Sequence, residues 1–419
     1  MSEKNILVVV DSLDVNDSSG TKGRVAFIKN FKKAGYQVTV LHYSRMEIKL
    51  PGISCISVKE LNTNLNYFLS RAQRVLYRWF KIDLSKYVDS LLGFSFGFFN
   101  DVNSLSKELK KYNPKDFDML WTFGKGTSFR AHAAVLKNSN WFPLWYAYVH
   151  DPYPQHLYPR PYNFVEYGFK KKRYFFRDIT VNAHRLVFPS LLLKEWMQSY
   201  FLNVEGKSLI IPHQLKTNVS HSNTLPSYFD ITKFNILHAG NLLDLRDPKP
   251  IVEAYEIFLS LVPQAKNNSV LFFIGNSSIY QNYFLQKMQK IPQLFISDGY
   301  VKFEEVFSMQ QQTSVNIILE ARSEISPFLP GKFPHCVAAN KPILVVGPYY
   351  SECKRLLGKD YPYTFDFNEI EGITNSFKNL YYTWVEEKDN LILNRPDLYF
   401  YLSSDYMRKV LDENPQNII

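Results

Sequence analysis

Glycines and basic residues follow the first apolar run of the sequence, at a place where they could bind an anion. The run occupies 6–10, and the polar segment after it contains Gly20 and Lys22, with Arg24 close behind. Glycine lets backbone amides approach an anion, and the N-terminus of the helix expected next favours negative charge. Because the segment has neither a P-loop nor a dinucleotide fingerprint, an anion site and a plain connecting loop are equally good interpretations.

A histidine and an aspartate, His150 and Asp151, follow a later predicted strand. Two prolines and Tyr153 come next and would fix the loop at the carboxyl edge of a sheet, where ligands bind. The imidazole could hydrogen-bond a sugar hydroxyl or share charge with a phosphate. An isolated His–Asp pair is more often structural, so both interpretations stay open.

The second half of the chain contains a stronger set of residues for binding phosphate. Gly240 and Arg246 follow a predicted strand, and a planar guanidinium suits a phosphate group. Lys332 comes after a Pro-Gly pair at a predicted helix start, which places an ammonium group beside free backbone amides. These residue types indicate a diphosphate site.

Two further motifs have simpler explanations. Asp116 and Asp118 resemble an Asp-x-Asp metal motif, but they precede a predicted strand instead of ending one, so we interpret them as a turn and expect no metal. The loop at 124–128, which includes Lys125, could hold an anionic or sugar acceptor, although a tight turn is the favoured interpretation.

Short apolar runs alternate with helical patterns along the chain, which predicts an α/β fold with parallel sheets. In the first half, strands are expected at 6–10, 37–42, 119–123, 145–150, 185–188 and 208–211. The pattern restarts at Phe234, with strands expected at 234–238, 270–274, 295–296, 315–319 and 342–346. We therefore expect two Rossmann-like domains facing a cleft, at 1–212 and 213–395, and a C-terminal helix within 396–419 that packs back on the first domain.

Residues 65–86 predict one amphipathic helix that is both apolar and basic. Four cations line the face beside its apolar stripe: Arg71, Arg74, Arg78 and Lys81. Such a helix suits an anionic bilayer surface, but it is also typical of a helix whose stripe packs on a sheet while its cations face water. A second basic and aromatic stretch lies at 170–177.

Composition and charge narrow the classes of protein and partner. The chain has 419 residues, a formal net charge of +10, 46% hydrophobic residues and 16% aromatic residues. This is the composition of an ordered protein, and it permits nucleic acid, anionic lipid or an anionic small substrate as partner. The three cysteines rule out a disulfide scaffold and suit a reducing compartment. With no secretory or membrane-spanning apolar segment, we expect a cytoplasmic protein, peripheral at the inner face of the membrane.

Several of these segments together resemble the GT-B glycosyltransferases, in particular glycosyltransferase family 4. The resemblance covers most of the chain and is strongest from 189 to 344. It is carried by HDPYP at 150–154, FPS at 188–190, IPHQL at 211–215, ILHAGNLLDLRDP at 236–248, FFIGN at 272–276, DGYVKFEEV at 298–306 and SPFLPGKFPHCVAANKPIL at 326–344. The resemblance implies that the second domain binds a nucleotide-sugar donor and the first binds the acceptor.

The resemblance also implies roles for single residues on the donor. Arg246 and Lys332 match the cationic pair on the donor diphosphate, and Gly20 matches the N-terminal loop near the phosphates. Gly240 gives close approach to the donor. His150 matches the histidine near the donor sugar, so Arg246, Lys332 and His150 are the catalytic candidates.

Further candidates lie beside the nucleotide base and on the acceptor side. The resemblance places Tyr300 and Val301 beside the base. Asp151, Tyr153 and Lys125 are the candidates for contact with the acceptor.

The sequence departs from the family pattern at the loop that precedes Lys341-Pro342. The family often carries two glutamates eight positions apart, one near the donor sugar and one on the ribose. Pro327 and His335 stand at those positions here. His335 can still hydrogen-bond ribose hydroxyls, but bidentate recognition by a carboxylate is lost. Glu324 is nearby but out of register.

The sequence therefore predicts a glycosyltransferase of the hexosyltransferase type that needs no metal or resident cofactor. The resemblance suggests retention of anomeric configuration and a saccharide or lipid-linked saccharide acceptor, in surface polysaccharide or glycan assembly. Two alternatives stay open: a GT-B epimerase acting on the nucleotide-sugar itself, and a non-catalytic basic protein that binds nucleic acid. No RNA-recognition, helix-turn-helix or zinc pattern supports the latter, so no nucleic acid is expected.

Overall fold

A computed structural model describes residues 4–17, 19–124, 126, 128–216 and 225–413. These residues form two compact units. The N-terminal unit takes in 4–158, 162–214 and 402–413, and the C-terminal unit takes in 159–161 and 215–401. Lys125, an expected acceptor contact, lies outside the described residues.

Strands and helices alternate through both units. The strands are β1 Asn5–Val10, β2 Gln37–His42, β3 Ser54–Ser57, β4 Met119–Phe123, β5 Trp145–Tyr148, β6 Arg185–Phe188, β7 Ser208–Ile210, β8 Phe234–Ala239, β9 Ser269–Ile274, β10 Leu294–Ile296, β11 Val315–Leu319, β12 Ile325–Ser326, β13 Ile343–Val346, β14 Tyr350–Ser351 and β15 Thr364–Phe365. The α-helices are α1 Ser19–Lys33, α2 Leu65–Phe80, α3 Ser85–Leu92, α4 Phe96–Leu109, α5 Arg130–Leu136, α6 Phe169–Asn182, α7 Leu191–Gln198, α8 Lys249–Leu261, α9 Ala265–Asn268, α10 Gln281–Lys290, α11 Phe303–Gln312, α12 Phe333–Ala338, α13 Glu352–Leu357, α14 Ile370–Glu386, α15 Pro396–Tyr401 and α16 Ser404–Asp412. Short 3-10 turns lie at Pro114–Asp116, Ser139–Leu144, Gln155–Leu157, Leu202–Lys207, Ser278–Tyr280 and Lys388–Asn390.

The N-terminal unit is built on a sheet of described strands in the order β3-β2-β1-β4-β5-β6-β7, all parallel. Strands β1 and β4 are buried along almost their whole length because helices cover both faces of the sheet. The chain leaves β1 toward β2 and returns beside β1 as β4, so the strand order reverses between β1 and β4. Ligands of such sheets bind at the carboxyl ends of the strands beside this reversal.

Helix α16, near the end of the chain, belongs to the N-terminal unit. Met407 and Val410 on this helix are buried in the same hydrophobic cluster as β1 and α1. Lys4 pairs with Asp412 at 2.8 Å, which adds a polar contact at the edge of this packing. The helical tail that the sequence predicts is divided, since α15 belongs to the C-terminal unit.

The C-terminal unit repeats the architecture with the strand order β10-β9-β8-β11-β13-β15, again parallel. Its order reverses between β8 and β11. A separate parallel ladder pairs β12 with β14. A ligand of the C-terminal unit is therefore expected where β8 and β11 end.

The predicted fold class is confirmed, and so are the expected strands, within two residues at their ends. Besides the divided C-terminal helix, two helix bounds differ from the prediction and four short strands are missing from it. The helix expected after residue 23 begins at Ser19, because Thr21 and Arg24 are buried and extend its inward face. The helix expected at 65–86 ends at Phe80, where Lys81 adopts a left-handed backbone with φ 56°. The short strands β3, β12, β14 and β15 are missing from the prediction.

Candidate functional site

Gly240 follows β8 and allows two loops of the C-terminal unit to approach each other closely. Its φ is 151°, and a Cβ there would lie 2.7 Å from Lys332 Nζ. A Cβ at Gly275, which follows β9, would lie 2.8 Å from the carbonyl carbon of Gly240. Glycine is therefore required at both strand ends, since a side chain would displace the groups packed there.

Lys332 brings a half-buried ammonium group to the end of β8. Its Nζ lies 3.5 Å from His238 Nε2. Burial, and then the charge of Arg246, lower the pKa of Lys332 to about 7. His238 is fully buried, and burial followed by the charges of Lys332 and Arg246 hold its pKa well below the usual value. The histidine is therefore neutral, and the positive charge beside Gly240 belongs to the lysine.

Arg246 lies in the loop between β8 and α8. Its Nη1 donates to the Asn241 carbonyl at 3.3 Å, and the side chain is partly exposed. The loop is pinned by Tyr280, whose hydroxyl donates to the Asp244 carbonyl at 2.7 Å. Helix α8 begins three residues later, at Lys249, whose amide donates to Asp247 Oδ1 at 3.1 Å. The second residue of the helix, Pro250, has no amide proton, so the charge at this loop comes from Arg246 and not from the start of α8. Gly240, Arg246 and Lys332, which the sequence predicted to act together, do lie in one place.

Tyr300 and Val301 lie between β10 and α11. Tyr300 is exposed and Val301 is half-buried. The imidazole of His335, on α12, packs edge-to-face against Phe303 and Phe307 of α11, with ring centroids 5.4 Å and 5.7 Å away. His335 and the start of α11 therefore form one aromatic surface close to the loop predicted to hold the base.

Glu320 is a buried carboxyl at the end of β11 that the sequence interpretation missed. Ser326 Oγ donates to its Oε1 at 2.9 Å, which ties β11 to the β12–β14 ladder. Burial is the largest cause that raises its pKa, to about 7. Glu324, by contrast, is exposed, and its backbone amide donates to the Arg160 carbonyl at 3.0 Å. Pro327 directly follows the ladder and is buried.

The corresponding edge of the N-terminal unit holds a hydrogen-bonded network around Asp11. Asp11, directly after β1, accepts from Ser128 Oγ at 2.5 Å and from the Ala131 amide at 3.2 Å. Arg130 donates to Ser128 Oγ at 2.6 Å and to Asp101 at 2.8 Å. Burial raises the pKa of Asp11 against the lowering effect of Arg130. Asp11 shows no motif in the sequence, and only its place at a strand end could have pointed to it.

The segment around Gly20, which was predicted to be an anion-binding loop, forms the first turn of helix α1. Gly20 is exposed within the first turn of α1. Arg24 is buried and donates to the Gly124 carbonyl at 2.6 Å and to Thr21 Oγ1 at 2.9 Å. Arg24 therefore fastens α1 to the loop after β4.

His150 and Asp151 lie just past β5, with His150 Nε2 3.3 Å from Asp151 Oδ2. Burial lowers the pKa of His150, while Asp151 opposes that effect. A Cβ at Gly124 would lie 3.6 Å from His150 Cε1, so the imidazole stands beside the end of β4. Tyr153, an acceptor candidate, is only 1% exposed and packs on Phe129 with a centroid distance of 4.2 Å. Its burial favours a packing role over contact with an acceptor.

The two acidic residues of the Asp-x-Asp motif have structural roles. Asp116 lies in a 3-10 turn, and Asp118 accepts the Asn5 amide at 2.7 Å. Both observations agree with the predicted turn. Across the described ranges, no group of three or more His, Cys, Asp or Glu is arranged to hold a metal ion, and no helix there is long and apolar enough to cross a membrane.

By sequence, the chain matches no family model and no curated protein. By structure, it is similar to a glycosyltransferase from Rickettsia africae, with 13% identity over 98% of this chain and 97% of the other and a TM-score of 0.59. It is similar to an α,α-trehalose-phosphate synthase (UDP-forming) from Burkholderia xenovorans in complex with glucose-6-phosphate, with 10% identity over 99% and 100% and a TM-score of 0.62. A third similar structure is Anabaena HepE in complex with UDP and glucose, with 10% identity over 99% and 100% and a TM-score of 0.56.

These likenesses extend over nearly the whole length of each chain. They show that the chain has the α/β fold of the GT-B glycosyltransferases, with two Rossmann-like units. At this level of identity they define the fold alone.

Proposed function

We propose that this protein is a glycosyltransferase that moves a sugar from a nucleoside-diphosphate sugar to a saccharide acceptor. The observation that carries the proposal is the position of the Lys332 ammonium group against Gly240 and His238, with Arg246 in the same loop region. A half-buried lysine beside a second cation is costly unless an anion completes the site. A diphosphate supplies that anion.

In the proposed reaction the bond between the anomeric carbon and the diphosphate oxygen breaks, and the acceptor hydroxyl oxygen bonds to that carbon. The hydroxyl proton passes to the departing diphosphate, so the products are a glycoside and a nucleoside diphosphate. Lys332 and Arg246 stabilise the charge that develops on the leaving group. These cationic groups act where a metal acts in other enzymes, and we therefore propose a metal-independent reaction. Retention of configuration is proposed from the resemblance to glycosyltransferase family 4 alone.

The N-terminal unit is the proposed acceptor side. His150, Asp151 and the network of Asp11, Ser128 and Arg130 place hydroxyl-binding groups at the carboxyl edge of its sheet. The structure of the Burkholderia synthase holds a sugar phosphate, and the Anabaena protein holds UDP and glucose. By analogy we propose a saccharide acceptor here. A lipid-linked saccharide used in glycan or polysaccharide assembly is the form we favour, because of the basic helix α2.

The donor is tested first by thermal unfolding of the full chain with UDP, GDP, dTDP and CMP. A ligand that binds only the folded protein raises the melting temperature, and we expect one nucleotide to do so clearly. The protein is then incubated with the matching nucleotide-sugars, with and without membrane lipids or free sugars. Release of nucleoside diphosphate that depends on an acceptor supports the proposal. Sugar interconversion without acceptor would show an epimerase instead.

A further inference from the structure

The apolar stripe of α2 faces away from the N-terminal unit. Five of its members follow one another at steps of three and four residues and are exposed: Leu65, Phe68, Ala72, Val75 and Trp79. Leu69 and Leu76, at the edge of the stripe, are half-buried. Trp79 is 76% exposed and the neighbouring Phe80 is 65% exposed. The buried residue of this helix is a polar one, Ser70, which is the reverse of a helix that packs by its apolar face.

The opposite, polar face of α2 makes the contacts with the rest of the unit. Asn64 donates to Asn100 Oδ1 of α4 at 2.8 Å. Arg71 donates to Glu60 at 3.1 Å and stacks on Tyr67. Arg71 therefore holds the helix in place, and the alternative in which the stripe packs on the sheet does not describe this helix.

Helix α3 continues the exposed apolar surface. Gln73 Nε2 of α2 donates to Ser85 Oγ at 3.1 Å, which joins the two helices. Tyr87 and Leu91 of α3 are 74% and 70% exposed. Because α2 ends at Phe80, these side chains lie on a second short helix beside the first.

The segment 163–174 adjoins α3 and adds the second basic stretch to this surface. A Cβ at Gly168 would lie 2.1 Å from the Asp89 carbonyl oxygen and 2.7 Å from Gly93 Cα, so the two backbones are in direct contact. Lys86 Nζ lies 5.9 Å from the centre of the Tyr167 ring. Large exposed side chains of the segment are Phe164, Val165, Tyr167 and Tyr174. We call α2, α3 and 163–174 together the aromatic-basic surface.

The charge of this surface is strongly positive. Residues 65–92, which span α2, α3 and their connection, contain five basic and two acidic residues, and residues 163–174 contain four basic and one acidic residue. That one acid, Glu166, is buried and paired with Lys172. Arg78, Lys81, Lys86, Lys170 and Lys171 are exposed around the apolar side chains.

We propose that the aromatic-basic surface docks on an anionic lipid bilayer. Tryptophan, tyrosine and phenylalanine beside lysine and arginine match the boundary between acyl chains and negative headgroups. A second copy of the chain would bring the same positive charges together, and its like-charge repulsion argues against a dimer through this surface. The proposal deepens the proposed function, since a membrane surface is where a lipid-linked acceptor is found.

The test is sedimentation of the full chain with vesicles of phosphatidylcholine alone and of phosphatidylcholine with phosphatidylglycerol. We expect binding to the anionic vesicles that falls at high salt, because headgroup attraction is screened. Reversing three cations (Arg78→Glu, Lys81→Glu, Lys86→Glu) is expected to weaken it at least about tenfold. Removing aromatic bulk (Phe68→Ser, Trp79→Ser) is expected to weaken it by a similar factor, about tenfold.

Matched controls lie on exposed positions elsewhere in the chain. The triple variant Lys115→Glu, Lys290→Glu, Lys359→Glu makes the same change in net charge, and Leu202→Ser removes an 84% exposed side chain. Both should bind the vesicles like the parent protein. Circular dichroism and thermal unfolding check that each variant is folded.

Equal binding to anionic and neutral vesicles, or unchanged binding by both surface variants, would overturn the proposal. So would sedimentation equilibrium that shows a dimer lost in the Trp79→Ser variant. Nucleotide binding in solution is measured on the same proteins. If the surface variants keep nucleotide binding while vesicle binding never occurs, the membrane proposal fails and the transfer proposal stands.

Discussion

At the scale of single residues, Lys332 decides how the donor site responds to pH. Burial and the neighbouring charge of Arg246 lower its pKa to about 7, so the empty site holds a partly neutral lysine at neutral pH. A diphosphate favours the ammonium form and pulls the pKa back up. Binding of the donor must therefore take up a proton when the pH is near that value.

We predict that donor affinity falls as the pH rises from about 6 to about 8, because protonating Lys332 then costs progressively more free energy. The slope approaches about tenfold per pH unit above the pKa of the empty site. Calorimetry with a nucleotide-sugar in buffers of different ionisation heat measures both affinity and proton uptake. Lys332→Arg is the control, since a guanidinium stays charged throughout this range. An affinity independent of pH in the parent protein would contradict this prediction.

At the scale of the elements, the end of β11 is held by a buried carboxyl. Glu320 accepts from Ser326 and so connects β11 to the ladder of β12 and β14, which leads into the segment carrying Lys332. Its pKa is raised to about 7, mainly by burial. The folded protein therefore binds a proton at Glu320 more tightly than the unfolded chain does.

The raised pKa of Glu320 predicts that the stability of the folded protein depends on pH, because the folded and unfolded states bind this proton with different affinity. The contribution of Glu320 to the free energy of unfolding is greatest at acid pH and is lost as the pH rises from about 4.5 to about 7. Glu320→Gln removes this dependence of the free energy of unfolding on pH. As the pH rises across that range, the stability of the variant relative to the parent should therefore increase by up to about 3 kcal/mol. Urea unfolding at several pH values measures the difference. Glu324→Gln, at an exposed site four residues away, should leave this dependence on pH unchanged, and the idea fails if both variants behave alike.

The elements themselves were largely predictable from the sequence, for physical reasons. Strands such as β1 and β8 are buried on both faces and appear as unbroken apolar runs. Strand β3 has two serines and is only half-buried, so its pattern is weak. Thr21 and Arg24 are buried polar residues, and periodicity of apolar residues alone could not show that α1 begins before them.

The donor-side cluster was predictable in part. Gly240, Arg246 and Lys332 have the residue types and the strand-end positions that phosphate binding requires. Glu320 and Asp11 were missed because neither belongs to a motif. Each becomes notable only once the strand order places β11 beside β8 and β4 beside β1, and strand order depends on contacts between distant parts of the sequence.

At the scale of the whole molecule, the formal net charge of +10 reflects basic residues with different roles. Arg246 and Lys332 belong to the proposed diphosphate site. Arg24, Arg71 and Arg130 are engaged inside the N-terminal unit. The exposed cations of the aromatic-basic surface belong to the proposed lipid-binding site.

The central claim is that the C-terminal unit binds a nucleoside diphosphate sugar and stabilises its leaving group. Turnover of Lys332→Ala and Arg246→Ala at saturating donor tests this claim most directly, with exposed Lys290→Ala as the control. We predict that each site variant turns over at least about 100-fold more slowly, the scale for losing one group that stabilises developing negative charge. The control should match the parent protein. Near-normal turnover in both site variants would contradict the account.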